Sequence, residues 1–244
     1  MAQAGKIPGS KRALRERKKR LGREGRFGSM TPRRRYLIAC EGKETEPNYF
    51  NELKQILPRN IAVIADGDGR NTLSLVKWTE EEERKYEQNG EHIDEVWVVM
   101  DRDSFPPHDF DNAINKVKAK DKKSVKEALA AKKSKKDAKR YRAAWSNECF
   151  ELWILLHFQD VTHPLARDEI YHKLSDIFEC NYEKQLKAEN LYSLLRKQDG
   201  DEAEAITRAE KLWESKEPVP SRANPATGVF ELVRRLNAHR KSTS

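Results

Sequence analysis

The fold of this chain is predicted most directly by one stretch, Asp94-Glu95-Val96-Trp97-Val98-Val99-Met100-Asp101-Arg102-Asp103. Its apolar run is too short for a helix and is typical of a buried strand. Two acids precede this strand, and two aspartates follow it. Alternate residues of an extended segment share a face, so we expect the side chains of Asp101 and Asp103 to point the same way. In α/β folds, functional residues lie in the loops that follow such strands.

Two aspartates at a strand end indicate a candidate metal site. Their carboxylates are hard oxygen ligands, which suit Mg²⁺ (or Mn²⁺), because Mg²⁺ keeps several waters and takes only one or two protein carboxylates. The alternative interpretation is a strand that ends in a solvated acidic turn. The Asp-Arg-Asp pattern alone does not distinguish the two.

The composition predicts a globular chain. Its 244 residues are 37% hydrophobic and 36% charged, which fits one large domain or a domain with an appendage. No apolar run approaches about 18 residues and no export signal is visible, so we expect no membrane association and a cytoplasmic location. The cysteines, Cys40, Cys149 and Cys180, lie far apart, which argues against a zinc knuckle and a disulfide framework.

Basic residues are concentrated in two segments. Residues 1–35 carry 13 Lys and Arg against two Glu, and residues 116–142 carry 13 against three acids, so the rest of the chain is acidic within a net charge of +8. An acidic body with two basic segments is the pattern expected of a metal site in a protein that also binds polyanions. The alternative is that the basic segments only keep the protein soluble.

The two basic segments have different expected structures. We predict that residues 1–33 form a disordered basic tail, because Gly, Lys and Arg dominate there. The Lys- and Ala-rich segment 116–142 favours a projecting helical arm or a mobile insertion. Its lysines form either a solvated surface or an edge that contacts phosphates beside the metal site, and the candidate contacts are Lys132, Lys133, Lys135 and Lys136.

Strands and helices alternate in the first part of the chain. Arg35–Cys40 and Ile61–Ala65 are predicted as apolar strands, and helical spacing follows each of them. With the strand that ends at Asp101, this β-α-β-α-β order predicts a parallel sheet. Glu41 follows the first strand directly, so we expect its carboxylate to meet Asp101 and Asp103 if the two strands are neighbours.

A fourth strand is predicted at Ala143–Ser146, followed by a helix that Ser146-Asn147 caps. Glu148 and Glu151 lie three apart and are therefore expected on one face of that helix. Glu151 has either a role in the site or a structural ion pair. His157 is either an interior histidine or a catalytic one.

Residues 159–244 show helical patterns and no strand pattern. The turn Asn224-Pro225-Ala226-Thr227 precedes the last helix, and it either presents backbone amides to phosphate or serves only for capping by Thr227. The predicted helices are Arg167–Phe178, Glu189–Gln198, Asp201–Glu214 and Thr227–His239.

Four longer strings carry a family resemblance. They are Cys40-Glu41-Gly42-Lys43-Glu44-Thr45-Glu46-Pro47-Asn48-Tyr49-Phe50, Val98-Val99-Met100-Asp101-Arg102-Asp103, Ser146-Asn147-Glu148-Cys149-Phe150-Glu151-Leu152-Trp153-Ile154-Leu155-Leu156-His157-Phe158, and Asn224-Pro225-Ala226-Thr227. Together they resemble the RloB-like family of bacterial defence-associated proteins, over roughly residues 34–240. The pair Glu41-Gly42 and Asp101-x-Asp103 is similar to the Toprim fold of topoisomerases, primases and OLD-family nucleases. The chain departs from the family pattern at Asn147-Glu148, where Asn-Pro is expected.

The resemblance implies a Toprim-like α/β domain over residues 34–160, with the Lys-rich insertion 116–142, and a helical extension over residues 161–244 packed on the same domain. It also implies a Mg²⁺-dependent nuclease that cleaves RNA or DNA as an effector of prokaryotic antiviral defence. The alternatives are a non-catalytic nucleic-acid-binding or sensor subunit of a defence complex, and a nucleotidyl transferase. We expect nucleic acid as the partner, with other defence-system proteins and further copies of the chain as additional candidates.

In this scheme the carboxylates at the strand ends have separate tasks. Asp101 and Asp103 hold the metal, and Glu41 completes the metal site or acts as a general base, since crowding by other acids raises the pKa of a carboxyl group. Glu151 is a further catalytic candidate. The residues expected to contact nucleic acid are Lys43, Arg102, Lys132, Lys133, Lys135, Lys136, Asn224 and Thr227.

Overall fold

The computed structural model describes residues 34–67, 69, 72–103, 106–185 and 190–240. All of them belong to the unit that runs from Arg33 to Ser244. The predicted basic tail, residues 1–33, lies outside the described residues. Among the described residues, no helix combines the length and the apolar character needed to cross a membrane.

Within this part of the chain, five strands form one sheet. They are β1 (Arg34–Cys40), β2 (Ile61–Gly67), β3 (Glu95–Asp101), β4 (Arg140–Asn147) and β5 (Ala226–Thr227). Their order in the sheet is β2-β1-β3-β4-β5, with β1 to β4 parallel and β5 antiparallel to the end of β4. The predicted, mostly parallel α/β sheet is confirmed, and β1 and β3 are direct neighbours.

Helices connect the strands and cover both faces of the sheet. In chain order they are α1 (Thr45–Leu53), α2 (Thr72–Gln88), α3 (Pro107–Ala130), α4 (Glu151–Leu155), α5 (Arg167–Phe178), α6 (Tyr182–Gln185), α7 (Leu191–Lys197), α8 (Glu202–Ser215) and α9 (Val229–Asn237). Short 3₁₀ turns lie at Lys54–Ile56 and Pro220–Arg222. The predicted bounds of α5 agree with the structure, and those of α7 and α8 differ by one or two residues.

The apolar strands are explained by burial on both faces. Ile38 of β1 and Trp97 of β3 pack into a core that also contains residues of α1, α4, α5 and α9. Their neighbours Ala39 and Val98 point to the other face and pack with residues of α2 and α3. Each large side chain buried in this way contributes roughly 1.5–3 kcal/mol, so both layers of helices hold the sheet.

Three predictions about the second half of the chain are wrong: the helix cap at Ser146-Asn147, the place of Glu148 on that helix, and the wholly helical segment after residue 159. β4 begins at Arg140 rather than Ala143 and continues through Ser146-Asn147, so these two residues end the strand instead of capping a helix. The next helix begins only at Glu151, which leaves Glu148 outside it. The segment after residue 159, predicted to be wholly helical, also contains β5, which is only two residues long and therefore has no recognisable period.

The Lys-rich segment 116–142 is the second half of α3, a turn, and the start of β4. It does not project from the body, because buried Glu83 of α2 accepts hydrogen bonds from Lys120 of α3 at 3.0 Å and from Lys139 at 2.8 Å. Arg140 binds both carboxylate oxygens of Asp121 at 2.8 Å. These ion pairs fasten the basic segment to the acidic face of α2 and to α3 itself.

Candidate active site

The acids predicted from the strand ends do meet at the carboxyl edge of the sheet. Glu41 follows β1, and its backbone N–H still donates to the carbonyl of Val99 in β3 at 3.0 Å. Its side-chain Oε2 accepts a hydrogen bond from the backbone N–H of Asp101 at 3.1 Å. The parallel pairing of β1 and β3 therefore fixes the spacing of these two carboxylates.

Asp103 lies in a loop that the sheet continues to hold. The backbone N–H of Arg102 donates to the carbonyl of Ser146 at 2.9 Å, and that of Asp103 donates to the carbonyl of Glu148 at 3.1 Å. Asp103 has a φ of +36°, a left-handed conformation that costs a non-glycine residue about 1 kcal/mol or more. Strained residues of this kind are enriched at functional sites, so the position of Asp103 is consistent with a role there.

A fourth acid, Glu46, enters the site from the first turn of α1 and was not among the predicted site residues. Its side chain is 5% exposed, and its Oε1 accepts a hydrogen bond from the backbone N–H of Gly42 at 3.1 Å. A Cβ at residue 42 would lie 2.2 Å from Glu46 Oε2, and one at Gly67 would lie 1.8 Å from the carbonyl oxygen of Gly42. The loop after β1 therefore needs both glycines to bring Glu46 close.

Two further elements complete the cleft. Glu151, the first residue of α4, is buried with 5% exposure and lines the same cavity as the strand-end acids. α5 contributes Arg167 and, one turn later, Tyr171. The cavity has a volume of about 750 Å³ and is lined by Glu41, Gly42, Lys43, Glu44, Thr45, Glu46, Gly69, Asp101, Asp103, Phe150, Glu151, Arg167 and Tyr171.

Arg167 is the guanidinium that faces the two aspartates. Its Nη1 lies 3.1 Å from Asp103 Oδ2, and its Nη2 lies 3.6 Å from Asp101 Oδ2. Sequence analysis missed this residue because it begins a helix whose apolar spacing predicts packing only. Its position against the strand ends is set by the tertiary fold.

Burial and the repulsion between neighbouring carboxylates raise the pKa values of the acids in the cleft. Burial raises the pKa of Glu41 to about 8, although the N–H of Asp101 opposes the shift. Burial, followed by the charge of Glu151, raises the pKa of Glu46 to about 7. The pKa of Asp101 lies well above its usual range, because of burial and then of its acidic neighbours, and Arg167 opposes this shift. Bringing a further cation into the cleft would offset the same repulsion.

The donor chemistry of the cleft fits a hard divalent cation. Asp101 Oδ1 is buried and has no hydrogen-bond partner in the described structure, and its neighbours are carboxylates. Across the described ranges, however, no three His, Cys, Asp or Glu side chains are close enough to form a ready-made metal site. Since Arg167 contacts both aspartates, a cation could use Asp101 and Asp103 fully only after this side chain moves.

The residues predicted to contact nucleic acid do not all lie at this cleft. Lys43 is exposed and lines it. Arg102 lies in the loop beside it and donates from Nη1 to the carbonyl of Asp103 at 2.6 Å. The structure therefore brings two of the predicted basic side chains near the acids.

The lysines of the α3–β4 turn lie elsewhere. All four are exposed, and they precede β4, so they lie at the amino edge of the sheet. The 24 residues of α3 carry the chain back by about 36 Å from the edge where the acids lie. Of the two interpretations of these lysines, the one that places them beside the metal site is therefore wrong, and the solvated surface agrees with their exposure. The lysines are Lys132, Lys133, Lys135 and Lys136.

The turn before α9 is also accounted for by structure. Thr227 is fully buried in β5, its hydroxyl is 2.9 Å from that of Ser146, and its Oγ1 accepts from the N–H of Val229 at 3.3 Å. Its side chain therefore caps and pairs rather than facing a ligand. Asn224 forms a cis peptide bond with Pro225 and does not line the acidic cleft.

The two remaining residues singled out in the sequence are Glu148 and His157. Glu148 contributes its backbone carbonyl to the Asp103 loop, and burial raises the pKa of its side chain. His157 is 3% exposed, its Nδ1 is 2.9 Å from the carbonyl oxygen of Trp153, and it is not among the residues lining the cleft. The interior interpretation of His157 agrees with this position.

The fold and the cleft define a class of protein: an α/β protein with a parallel sheet and a group of carboxylates at the carboxyl ends of neighbouring strands. The family model of the RloB-like proteins matches residues 36–236, which is most of the chain, and the protein belongs to this family. No curated protein and no solved structure gives a significant match.

Proposed function

We propose that this protein is a Toprim-type nuclease that hydrolyses phosphodiester bonds of RNA or DNA with Mg²⁺ or Mn²⁺. The observation that carries the proposal is the convergence of Glu41, Asp101 and Asp103 on one open cleft through the pairing of β1 with β3. Hard oxygen donors at the carboxyl edge of a parallel sheet are suited to a divalent cation. The buried Oδ1 of Asp101, which has no hydrogen-bond partner in the described structure, is a further donor that a cation could use.

Asp101 and Asp103 would hold the cation, with Glu41 as a third ligand or as the proton acceptor. When bound, the cation supplies Lewis-acid stabilisation of the charge that develops on the phosphate. Burial raises the pKa of Glu41 to about 8, which supports a role as general base near neutral pH. Glu46 and Glu151 surround these acids and increase the demand for a cation.

A nucleic-acid phosphate that enters an acidic cleft must meet positive charge. Lys43 at the rim and Arg167 inside the cleft are cationic groups that line this cavity. Arginine binds phosphate through two parallel hydrogen bonds, whereas lysine acts as a point charge. The pair therefore supports a phosphate-bearing substrate rather than a neutral one.

The family resemblance supports a role as an effector of prokaryotic antiviral defence. A second candidate is a nucleic-acid-binding or sensor subunit without catalysis. The ion pairs of Arg167 with Asp101 and Asp103 favour this second candidate, because they neutralise part of the acidic charge without any metal.

A cleavage assay separates the two candidates. Purified protein is incubated with tRNA, mixed RNA, plasmid and single-stranded DNA in Mg²⁺, Mn²⁺ or EDTA, and the products are resolved on gels. The nuclease proposal expects metal-dependent cleavage that Asp101→Asn abolishes and that Asp176→Asn, an exposed acid of α5, retains. Binding of the substrates without cleavage in any metal would support the sensor role instead.

A further inference from the structure

Arg167 occupies an unusual position for a residue at the start of a helix. It is the first residue of α5, and its guanidinium contacts one carboxylate oxygen of Asp103 at 3.1 Å and one of Asp101 at 3.6 Å. The side chain is 32% exposed, close to the 28% of Asp103 and more than the 13% of Asp101, so Asp101 is the most buried of the three. Its guanidinium is therefore a cation that lies within 4 Å of both carboxylates.

A guanidinium and a divalent cation need the same oxygen atoms. Oδ2 of Asp101 and Oδ2 of Asp103 lie against Arg167, and all three side chains line the cavity that a cation would enter. Two cations cannot both neutralise the same pair at contact distance without strong repulsion. Binding of a divalent cation is therefore coupled to a movement of Arg167.

The guanidinium has a second use in this cleft once it is displaced. Arginine combines a flexible aliphatic stem with a planar fork that matches phosphate as well as carboxylate. Because Arg167 is partly exposed and lines the cavity together with Lys43, it can turn towards the opening without crossing the core.

We propose that Arg167 is a displaceable internal cation: it holds Asp101 and Asp103 when no metal is bound, and it contacts a substrate phosphate when a divalent cation replaces it. This inference rests on the proposed function and extends it by naming the residue that binds phosphate. It also explains how the protein stays folded without a metal although the acids of the cleft are closely spaced.

The chain offers a matched control at the other edge of the sheet. Arg140 forms a two-point ion pair with Asp121, with 30% and 20% side-chain exposure, against 32% for Arg167 and 13% for Asp101. Arg140→Gln therefore removes an ion pair of similar exposure that is remote from the cleft.

The first experiment measures metal binding. Calorimetry with Mg²⁺ compares the wild type, Arg167→Gln, Arg167→Lys and Arg140→Gln. Loss of the competing cation should tighten Mg²⁺ binding by about tenfold in Arg167→Gln, with a smaller change in Arg167→Lys and none in Arg140→Gln. In EDTA both Gln variants should melt earlier than the wild type, and Mg²⁺ should restore only Arg167→Gln.

The second experiment measures phosphate binding. A phosphorothioate-linked single-stranded oligonucleotide, which resists cleavage, is titrated at saturating Mg²⁺ over a range of salt concentrations. Arg167→Gln should weaken its affinity about tenfold and reduce the salt slope by about one, as expected for the loss of one phosphate contact, and Arg140→Gln should not.

Each outcome decides a different claim. Equal Mg²⁺ affinity in the wild type and Arg167→Gln, or unchanged oligonucleotide affinity, would overturn the role of Arg167. If Arg167→Gln changes both the Mg²⁺ affinity and the oligonucleotide affinity as expected, but the wild type cleaves no substrate, Arg167 remains a metal-coupled phosphate contact. The nuclease proposal is then refuted. If neither the wild type nor Arg167→Gln binds Mg²⁺, the nuclease proposal and the proposed role of Arg167 both fail.

Discussion

Glu41 Oε2 accepts a hydrogen bond from the backbone N–H of Asp101 at 3.1 Å, and this contact joins the ends of two neighbouring parallel strands. The carboxylate of Glu41 is thus positioned by the backbone of Asp101, a second acid of the cleft. The geometry depends on the β1–β3 register more than on flexible loops, which suits a site that must hold charged groups in a fixed arrangement.

Glu41→Gln tests the charge at this contact. The glutamine oxygen can still accept the hydrogen bond from Asp101, so the fold should be kept while the negative charge is removed. We expect cleavage to fall by at least about 100-fold, the order of effect of removing a general base or metal-bound charge, and nucleic-acid binding to stay equal or tighten. Gel assays and fluorescence anisotropy measure the two quantities.

The control for this substitution is Glu44→Gln, because Glu44 lines the same cleft but is exposed. It should keep nearly all activity. A folded Glu41→Gln protein that protects cells against phage as well as the wild type would support the sensor role. Wild-type cleavage by this variant would show instead that the chemical step does not need the Glu41 carboxylate.

His157 predicts a specific pH dependence of stability. Burial lowers its pKa to about 4, against about 6.5 in an unfolded chain, so protons bind preferentially to the unfolded state between these values. The contribution of neutral His157 is complete above about pH 6.5 and is lost as the pH falls to 4, at a cost of about 3 kcal/mol. Urea unfolding at pH 7, 5.5 and 4 should show this loss as the difference between the wild type and a variant without His157, because the cleft carboxyl groups with raised pKa values titrate in both proteins with the opposite sign.

His157→Gln removes the titrating group, so its free energy of unfolding should fall less over the same pH range. The exposed His163→Gln variant should follow the wild type. A His157→Gln protein with the wild-type pH dependence would show that this histidine is already accessible to protons in the folded state.

Arg235 is predicted to matter for stability at the amino edge of the sheet. Its Nη2 and Nε donate to Oε1 of Glu95, at 2.7 and 3.0 Å, and Glu95 is fully buried. Arg235→Ala would leave this carboxylate with Arg34 at 3.3 Å and should cost about 3 kcal/mol. Urea denaturation at neutral pH measures the difference.

The neighbouring Arg234 provides the control, because its ion pair with Glu210 is exposed. Arg234→Ala should cost less than about 1 kcal/mol. The double variant Glu95→Gln/Arg235→Ala should be more stable than Arg235→Ala alone, and the opposite order would show that the burial of the carboxylate is not the cause.

The basic segments are predicted to affect affinity and not the chemical step. Removing residues 1–30, or neutralising the four lysines of the α3–β4 turn, should weaken nucleic-acid binding and flatten its salt dependence through reduced counterion release. The cleavage rate at saturating substrate should not change, since the turn lies at the edge of the sheet opposite the acids. Binding unchanged across a salt titration would exclude that segment from the interface.

The sequence predicts the core of this architecture because two-faced burial leaves a strong pattern. The apolar runs that end at Cys40 and Met100 are each followed directly by an acid. The strands, the edge of the sheet and its carboxylates can therefore be inferred together. β4 was predicted too short because its first residues, Arg140 to Arg142, are charged or aromatic and only half-buried. Arg140 is held there by its ion pair with Asp121, Tyr141 packs against the core, and Arg142 lies over the ring of Trp97.

The unpredicted site residues come from tertiary contacts. Glu46 has a helix-start pattern that explains it locally, and only the close approach to Gly42 places it in the cleft. Arg167 lies 64 residues after Asp103 in the chain, with no local sign of the pairing. The Lys-rich turn was expected near Asp103 because the two are close in sequence. The long helix α3 lies between them and carries the chain to the opposite edge of the sheet.

The central claim is that the strand-end carboxylates hold a divalent cation, and Mg²⁺ calorimetry on the wild type, Asp101→Asn and Asp176→Asn tests it most directly. Asp101→Asn keeps the size of the side chain and removes the charge next to Glu41, while Asp176 lies outside the cleft. The account predicts saturable Mg²⁺ binding by the wild type and Asp176→Asn, and its loss in Asp101→Asn. Equal binding by all three proteins, or none by any, would contradict it.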